Sequence, residues 1–187
     1  MDGFYELAFI GRGGQGGKTA AELVAKIALN NGKFVQSFPD YGPERKGAPV
    51  RAFTRISDQE IRGCSSESNP NVIVIIDQAL SGLNNSFFTT HDDTIVIVNT
   101  GETADALQKQ YHLKGRIHVV NATTIALETV KVNITNSAML GALAKITGLF
   151  TLEEIKEEFR KEFDRKLSAE GLQNNYRAIE RAYKEVV

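Results

Sequence analysis

Apolar residues along this chain follow two rhythms, one near every second position and one near every third or fourth, and their succession predicts its elements. Residues 4–10 and 33–38 read as strands. Residues 71–77, NVIVIID, are almost continuously β-branched and apolar, as in a strand buried on both faces of a parallel sheet. Residues 94–98 and 116–120 repeat that character. Residues 50–56 set Val50, Ala52, Thr54 and Ile56 against Arg51, Phe53 and Arg55, which predicts a half-exposed strand with two arginines on one face.

The helical rhythm begins at residues 15–30, where Ala21, Val24, Ala25, Ala28 and Leu29 form a stripe that Asn31 and Gly32 stop. A second helix is expected over 102–110. The last third is helical: Met139, Leu140, Leu143 and Ile146 share a face and Gly148 follows as a stop signal. Thr151 and Glu154 are spaced as a capping box ahead of Leu152, Ile155 and Phe159. From Ser168 onward Leu172, Tyr176, Ile179 and Tyr183 repeat the pattern. Strand, helix, strand recurs, so the prediction is an α/β fold, a Rossmann-like doubly wound, mostly parallel sheet with a helical C-terminal third, in a single domain over residues 1–187.

Composition removes several classes of function. The 22 basic and 23 acidic residues nearly cancel, so no overall field favours nucleic acid or a membrane surface. The one cysteine, Cys64, forms no internal disulfide and is too few for an iron–sulfur cluster or a structural zinc site. No stretch approaches the roughly 18 apolar residues of a membrane span, and residues 1–10 carry Asp2 and Glu6 without a long apolar core. A cytoplasmic protein is expected.

Two segments carry candidate chemistry. The first is GRGGQGGKT, residues 11–19, between the first strand and the first helix. Glycines let backbone approach a ligand closely, and the unpaired N–H groups of a helix start favour an anion. A mononucleotide P-loop ending at Gly17, Lys18 and Thr19 would need glycine at position 12, which is Arg12. The dinucleotide pattern GxGxxG fits Gly11, Gly13 and Gly16, but a ribose-binding carboxylate is due about 20 positions on. Gln36 and Ser37 stand there, with Asp40 beyond. A tight turn without ligand is the plain alternative.

The second is FPDYGPERKGAP, residues 38–49, which holds three of the four prolines and reads as a structured loop. Arg45 offers phosphate a planar fork and Lys46 a flexible point charge. In a doubly wound sheet the two loops are expected at the carboxyl ends of adjacent strands, where they could clamp a pyrophosphate. An exposed cationic turn is the alternative. Catalytic patterns are missing: His91, His112 and His118 lack metal-ligand spacing, Ser65, Ser66 and Ser68 form no nucleophile elbow, and Asp77 reads as either a cleft residue or a helix cap.

With both segments in view, the chain resembles the gamma subunit of the 2-oxoacid:ferredoxin oxidoreductases over almost its whole length. GRGGQG at 11–16, FPDYGPERKGAPVRAFTRIS at 38–57, NVIVIID at 71–77, NATTIALE at 121–128 and ITNSAMLGALAKITG at 134–148 occur in the family's order. The arginine loop and the TNxxxLGAL helix resemble the pyruvate and branched-chain members more than the 2-oxoglutarate ones. The resemblance implies a complex that decarboxylates a 2-oxoacid on thiamine diphosphate and magnesium, passes electrons through iron–sulfur clusters to ferredoxin, and releases an acyl-CoA. It implies that those cofactors sit on alpha-, beta- and delta-type partner chains, and that this chain has no catalytic or metal-binding residue and is inactive alone. Coenzyme A is the ligand it implies here, with Gly11, Gly13, Gly14, Gln15 and Gly16 meeting the pyrophosphate and Arg45 and Lys46 the phosphates. A ligand-free scaffold subunit and a separate NAD-binding Rossmann protein are the competing readings.

Overall fold

The computed structural model describes residues 3–41, 47–62 and 69–187. Six strands form one sheet in the order β2-β3-β1-β4-β5-β6. They are β1 (Tyr5–Arg12), β2 (Phe34–Tyr41), β3 (Pro49–Ser57), β4 (Val72–Ile75), β5 (Ile95–Asn99) and β6 (Arg116–Val120). β1, β4, β5 and β6 run parallel, while β3 pairs antiparallel with both β1 and β2. The predicted α/β sheet is present, with one departure in its order. The strand after the first helix does not lie beside β1, because β3 turns back and takes that place.

Both ends of the expected irregular segment at 38–49 belong to strands, since β2 runs to Tyr41 and β3 begins at Pro49, with Phe38 opposite Phe53 and Pro39 opposite Ala52. Proline is tolerated because β2 is the outermost strand on its side and has no further ladder to supply. β3 is also not half-exposed: Ala52, Phe53, Thr54 and Arg55 are all buried. The alternation is real, but both faces are covered. Thr54 turns toward α1 (Gly17–Asn30) and donates its hydroxyl to the Ala21 carbonyl at 2.8 Å. Arg55 turns the other way, beneath the rings of Phe4 and Phe38, and pairs with Glu6 at 2.5 Å, both side chains at most 2 % exposed.

Helices cover the faces unequally. Alongside α1, one face carries α3 (Ala122–Thr129), α4 (Asn136–Thr147), α5 (Leu152–Phe163) and α6 (Ala169–Glu185), packed on Leu7, Phe9, Val72, Val74, Ile95 and Ile97. The other face carries a 3₁₀ turn (Gln78–Leu83), α2 (Ala104–Tyr111) and the segment around Phe88, over Ala8, Ile10, Ile73, Ile75, Val96 and Val98. The last strand residues thus serve both cores, as two-sided burial of their β-branched side chains requires. α4 is buried all round from Asn136 to Ala144, and Gly141 makes that possible: a methyl group there would lie 2.0 Å from the Ile179 carbonyl oxygen of α6. The expected capping box opens α5, and the hydrogen bonds that Glu154 accepts from the Thr151 N–H and hydroxyl hold its carboxyl below the usual range. Both α3 and the 3₁₀ turn are absent from the periodicity reading.

Candidate functional site

The chain leaves β1 toward β2 on one side of the sheet and leaves β4 toward β5 on the other, so a crevice opens between the carboxyl ends of β1 and β4. Sheets of this kind bind ligands at such a switch point. The glycine segment fills its β1 side. Gly11 and Arg12 end the strand, and Gly16 is the N-cap of α1 in the left-handed region, φ 83°. Left-handed backbone favours glycine, and here space does too: a methyl on Gly16 would lie 2.8 Å from the Asn136 amide nitrogen.

The loop is held by a compact set of bonds. The Gln15 side chain accepts from the Arg12 N–H at 2.7 Å and donates to Asp77 Oδ2 at 3.1 Å. Arg12 Nε donates to the same oxygen at 2.8 Å, and its Nη1 donates to the Gly47 carbonyl at 3.0 Å. Asp77 Oδ1 accepts from the Ala79 N–H at 3.0 Å, which caps the 3₁₀ turn. Partial burial alone would raise the Asp77 carboxyl, but the bonds from Gln15, Arg12 and Ala79 outweigh it and hold the group below its ordinary value. Asp77 is therefore both cap and cleft residue.

Of the backbone donors expected to face an anion, the Gly13 N–H is directed to the Ala48 carbonyl at 3.4 Å and the Gln15 N–H to the Arg12 carbonyl at 3.0 Å. Those of Gly14 and Gly16 make no hydrogen bond among the described residues. The Ala20 N–H donates to the Gly16 carbonyl at 2.9 Å, so the amides opening α1 lie at its positive end. Lys18 reaches back along the helix to Glu22 at 3.5 Å. Gly11, Gly13, Gly14, Gly16 and the start of α1 border a cavity of ≈ 280 Å³ floored by Phe9, Val50 and Ala52.

A second cavity, ≈ 380 Å³, lies past Gln15 over the ends of β4, β5 and β6. Its walls are amides and hydroxyls, among them Asn99, Thr100, Asn121, Thr123 and Thr135. Little in the chain's pattern announces it, because Asn, Thr and Gly after a strand also read as ordinary turn residues.

Gly11 thus stands at the end of β1, and Gly13, Gly14, Gln15 and Gly16 form the turn from it into α1. Arg45, Lys46, Cys64 and the serines at 65, 66 and 68 lie outside the described residues. The two loops do not follow adjacent strands, since β3 separates β1 from β2. Of the second segment, the described residues Gly47 and Pro49 meet the glycine loop, Gly47 through its carbonyl and Pro49 as the ladder partner of Arg12. His91, His112 and His118 fall on separate segments, and no group of three potential metal ligands occurs among the described residues. His118, on β6, is pushed down by burial and by the Arg116 charge, against a bond with the Val187 backbone.

Comparison with known proteins agrees over the whole length. The family model described as pyruvate ferredoxin/flavodoxin oxidoreductase matches residues 6–185. Pyruvate synthase subunit PorC of Thermotoga maritima is 43 % identical over 189 residues, covering 98 % of this chain and 95 % of that one. The common gamma subunit of the pyruvate/ketoisovalerate oxidoreductases of Thermococcus kodakarensis is 43 % identical, with 97 % of each chain covered. The crystal structure of the T. maritima pyruvate oxidoreductase subunit PORC superposes with a TM-score of 0.85 at 40 % identity, covering 99 % of this chain and 98 % of that one.

Proposed function

The chain belongs to the pyruvate ferredoxin/flavodoxin oxidoreductase family, and from that premise we propose that its glycine loop contributes the coenzyme A site of the assembled enzyme. As a member it is a gamma-type subunit of a pyruvate or related 2-oxoacid:ferredoxin oxidoreductase. In the proposed division of labour the 187 residues act as one domain that lends a binding surface, while alpha-, beta- and delta-type chains hold thiamine diphosphate, magnesium and the iron–sulfur clusters and pass electrons to ferredoxin. One cysteine in the chain cannot ligate such clusters.

The observation that carries this reading is the arrangement around the ≈ 280 Å³ cavity. Gly14, Gly16 and the start of α1 line it, and Gly47, which follows Arg45 and Lys46 in the chain, is tied to Arg12 at 3.0 Å. A helix terminus contributes roughly 0.3–2 kcal/mol toward an anion. Coenzyme A therefore needs the cations as well. The acyl transfer itself belongs to the partner that carries thiamine diphosphate; this chain's part is to hold the phosphates so that the thiol end is directed outward.

The test is kinetic, on the reconstituted complex. Arg45→Ala and Lys46→Ala together are expected to raise KM for coenzyme A at least tenfold while leaving KM for the 2-oxoacid unchanged. An unchanged KM for coenzyme A overturns the proposal, and if loop variants disturb only assembly, the scaffold reading takes its place. The NAD reading is disfavoured by topology, because β3 occupies the place beside β1 from which a ribose-binding carboxylate would project. Asp40, the nearest acid, is already paired with Arg51.

A further inference from the structure

Among the described residues, four of the α-helices open with a side-chain cap and two do not. Thr103, Asn121, Thr151 and Ser168 each accept a backbone N–H at the start of α2, α3, α5 and α6. α1 opens on Gly16, which has no side chain to offer, and Thr135 makes no capping bond at the start of α4. An uncapped start leaves backbone N–H groups unpaired and its positive end unopposed. The two uncapped starts are in contact, through Gly16 and Asn136.

The start of α4 is also buried, where unpaired polar groups are costly. Thr135, Asn136, Ser137 and Ala138 are at most 6 % exposed. Asn136 turns its Oδ1 back to the Ser137 N–H at 2.9 Å, which fixes the orientation of the side-chain amide, and its Nδ2 makes no hydrogen bond among the described residues. The buried Ser137 hydroxyl has no partner among them either. Asn136 therefore does not serve as an ordinary cap.

What its amide does is bear on the glycine turn. A methyl group on Gly16 would lie 2.8 Å from Asn136 Nδ2 and 3.0 Å from its Cβ and Cγ, so the side chain packs directly against the Gly16 Cα. Gly16 stands in left-handed backbone at φ 83°, and α4 is buried all round from Asn136 to Ala144, so neither side can give way. The Gly14 and Gly16 N–H groups make no hydrogen bond among the described residues, and both glycines border the ≈ 280 Å³ cavity. Their direction depends on how Gly16 is seated.

We propose that Asn136 is a positioning residue of the anion pocket, acting through Gly16: its locked, uncharged side-chain amide seats the glycine turn so that the turn's unpaired N–H groups are presented to the anion. The proposal rests on the coenzyme A reading above and adds to it a residue from the helical C-terminal third, distant in sequence from both loops.

The experiment uses the assembled complex with Asn136→Ala, Gly16→Ala and the two combined. Asn136→Ala is expected to raise KM for coenzyme A about tenfold, as slight misplacement of binding groups does, with kcat and KM for the 2-oxoacid unchanged. Gly16→Ala should raise it too, and the combination by less than the product of the single effects, since the new methyl no longer meets a side chain. Asn136→Asp keeps the shape and the acceptor for the Ser137 N–H and suits a first helical turn, so it supplies the same measurement should Asn136→Ala fail to fold. Its KM for coenzyme A should also rise about tenfold at low ionic strength and recover part of the way as salt screens the added charge. An unchanged KM for coenzyme A in the folded Asn136 variants overturns the proposal, as do single effects that simply multiply in the combination. A fall in kcat with both KM values altered, or weakened assembly alone, makes Asn136 a structural residue and also overturns it. If Arg45→Ala with Lys46→Ala raises KM for coenzyme A in the same series, the coenzyme A reading survives that loss; if it does not, the reading fails and the proposal with it.

Discussion

Arg12 Nε lies 2.8 Å from Asp77 Oδ2, and this one contact links the last residue of β1 to the residue that begins the 3₁₀ turn after β4. Because Arg12 also holds the Gly47 carbonyl, the pair connects the glycine loop, the switch-point crevice and the start of β3. Asp77→Asn keeps the shape and removes the charge. It is expected to cost about 1 kcal/mol, as for a partly exposed ion pair, and to raise KM for coenzyme A severalfold in the complex. Arg12→Lys, which keeps one charge but not two directed bonds, should fall between wild type and Arg12→Ala.

The same pair sets a pH dependence. Since the folded Asp77 carboxyl lies below its unfolded value, its contribution is complete above the ordinary carboxylate pKa of about 3.9 and is lost as pH falls through the lowered native value. Urea midpoints of wild type and Asp77→Asn should differ by a constant amount from pH 7 to about 5 and converge in acid. A gap that widens in acid would contradict the assignment.

Gly16→Ala and Gly13→Ala make a matched comparison within one loop. The first forces a side chain into left-handed backbone and against Asn136, a strain of about 1–2 kcal/mol before any displacement of α4. The second meets nothing within 4 Å and should stay within about 0.5 kcal/mol of wild type. Thermal melts of the two variants decide the matter; equal losses would mean that loop composition, and not the Gly16–Asn136 approach, matters.

Gly141→Ala tests the helix layer. Its methyl would sit 2.0 Å from a backbone oxygen that cannot rotate away, so α4 and α6 must separate. The expected loss is about 3 kcal/mol or more, a melting shift of roughly 6–12 °C for a domain of this size. A melt within 2 °C of wild type would be incompatible with the described packing.

Glu6→Ala leaves the Arg55 charge in the core without its carboxylate and is expected to cost about 3–5 kcal/mol. Replacing both residues with methionine should cost much less than Glu6→Ala alone. A double-mutant cycle on denaturant midpoints measures the difference, and additivity of the two single losses would mean that the pair is not coupled.

The parts legible in the sequence were those with strong local physics. The buried runs at β4, β5 and β6, the stripes of α4 to α6 and the Thr151–Glu154 capping box could be read because period, caps and stops agreed. The place of β3 could not, since antiparallel pairing is written in contacts between distant residues. The burial of Arg55 escapes the alternation pattern for the same reason: its partner Glu6 is 49 positions away, and only the fold shows the charge neutralised. The glycine loop was found from its composition, yet the role of Gln15 needed Asp77 beside it. The amide cavity stayed hidden because its residues come from the ends of several elements and each resembles an ordinary cap or turn residue.

The buried Glu6–Arg55 pair has a reach beyond its own surroundings. β1 and β3 match residue for residue from Tyr5 opposite Ile56 to Arg12 opposite Pro49, so fixing one rung fixes every other. A slip of a single residue would carry Arg55 to the opposite face of the sheet and move Pro49 off Arg12. The ion pair thus works as a register pin: from one end of the ladder it sets where Gly47 and Pro49 meet Arg12 at the other.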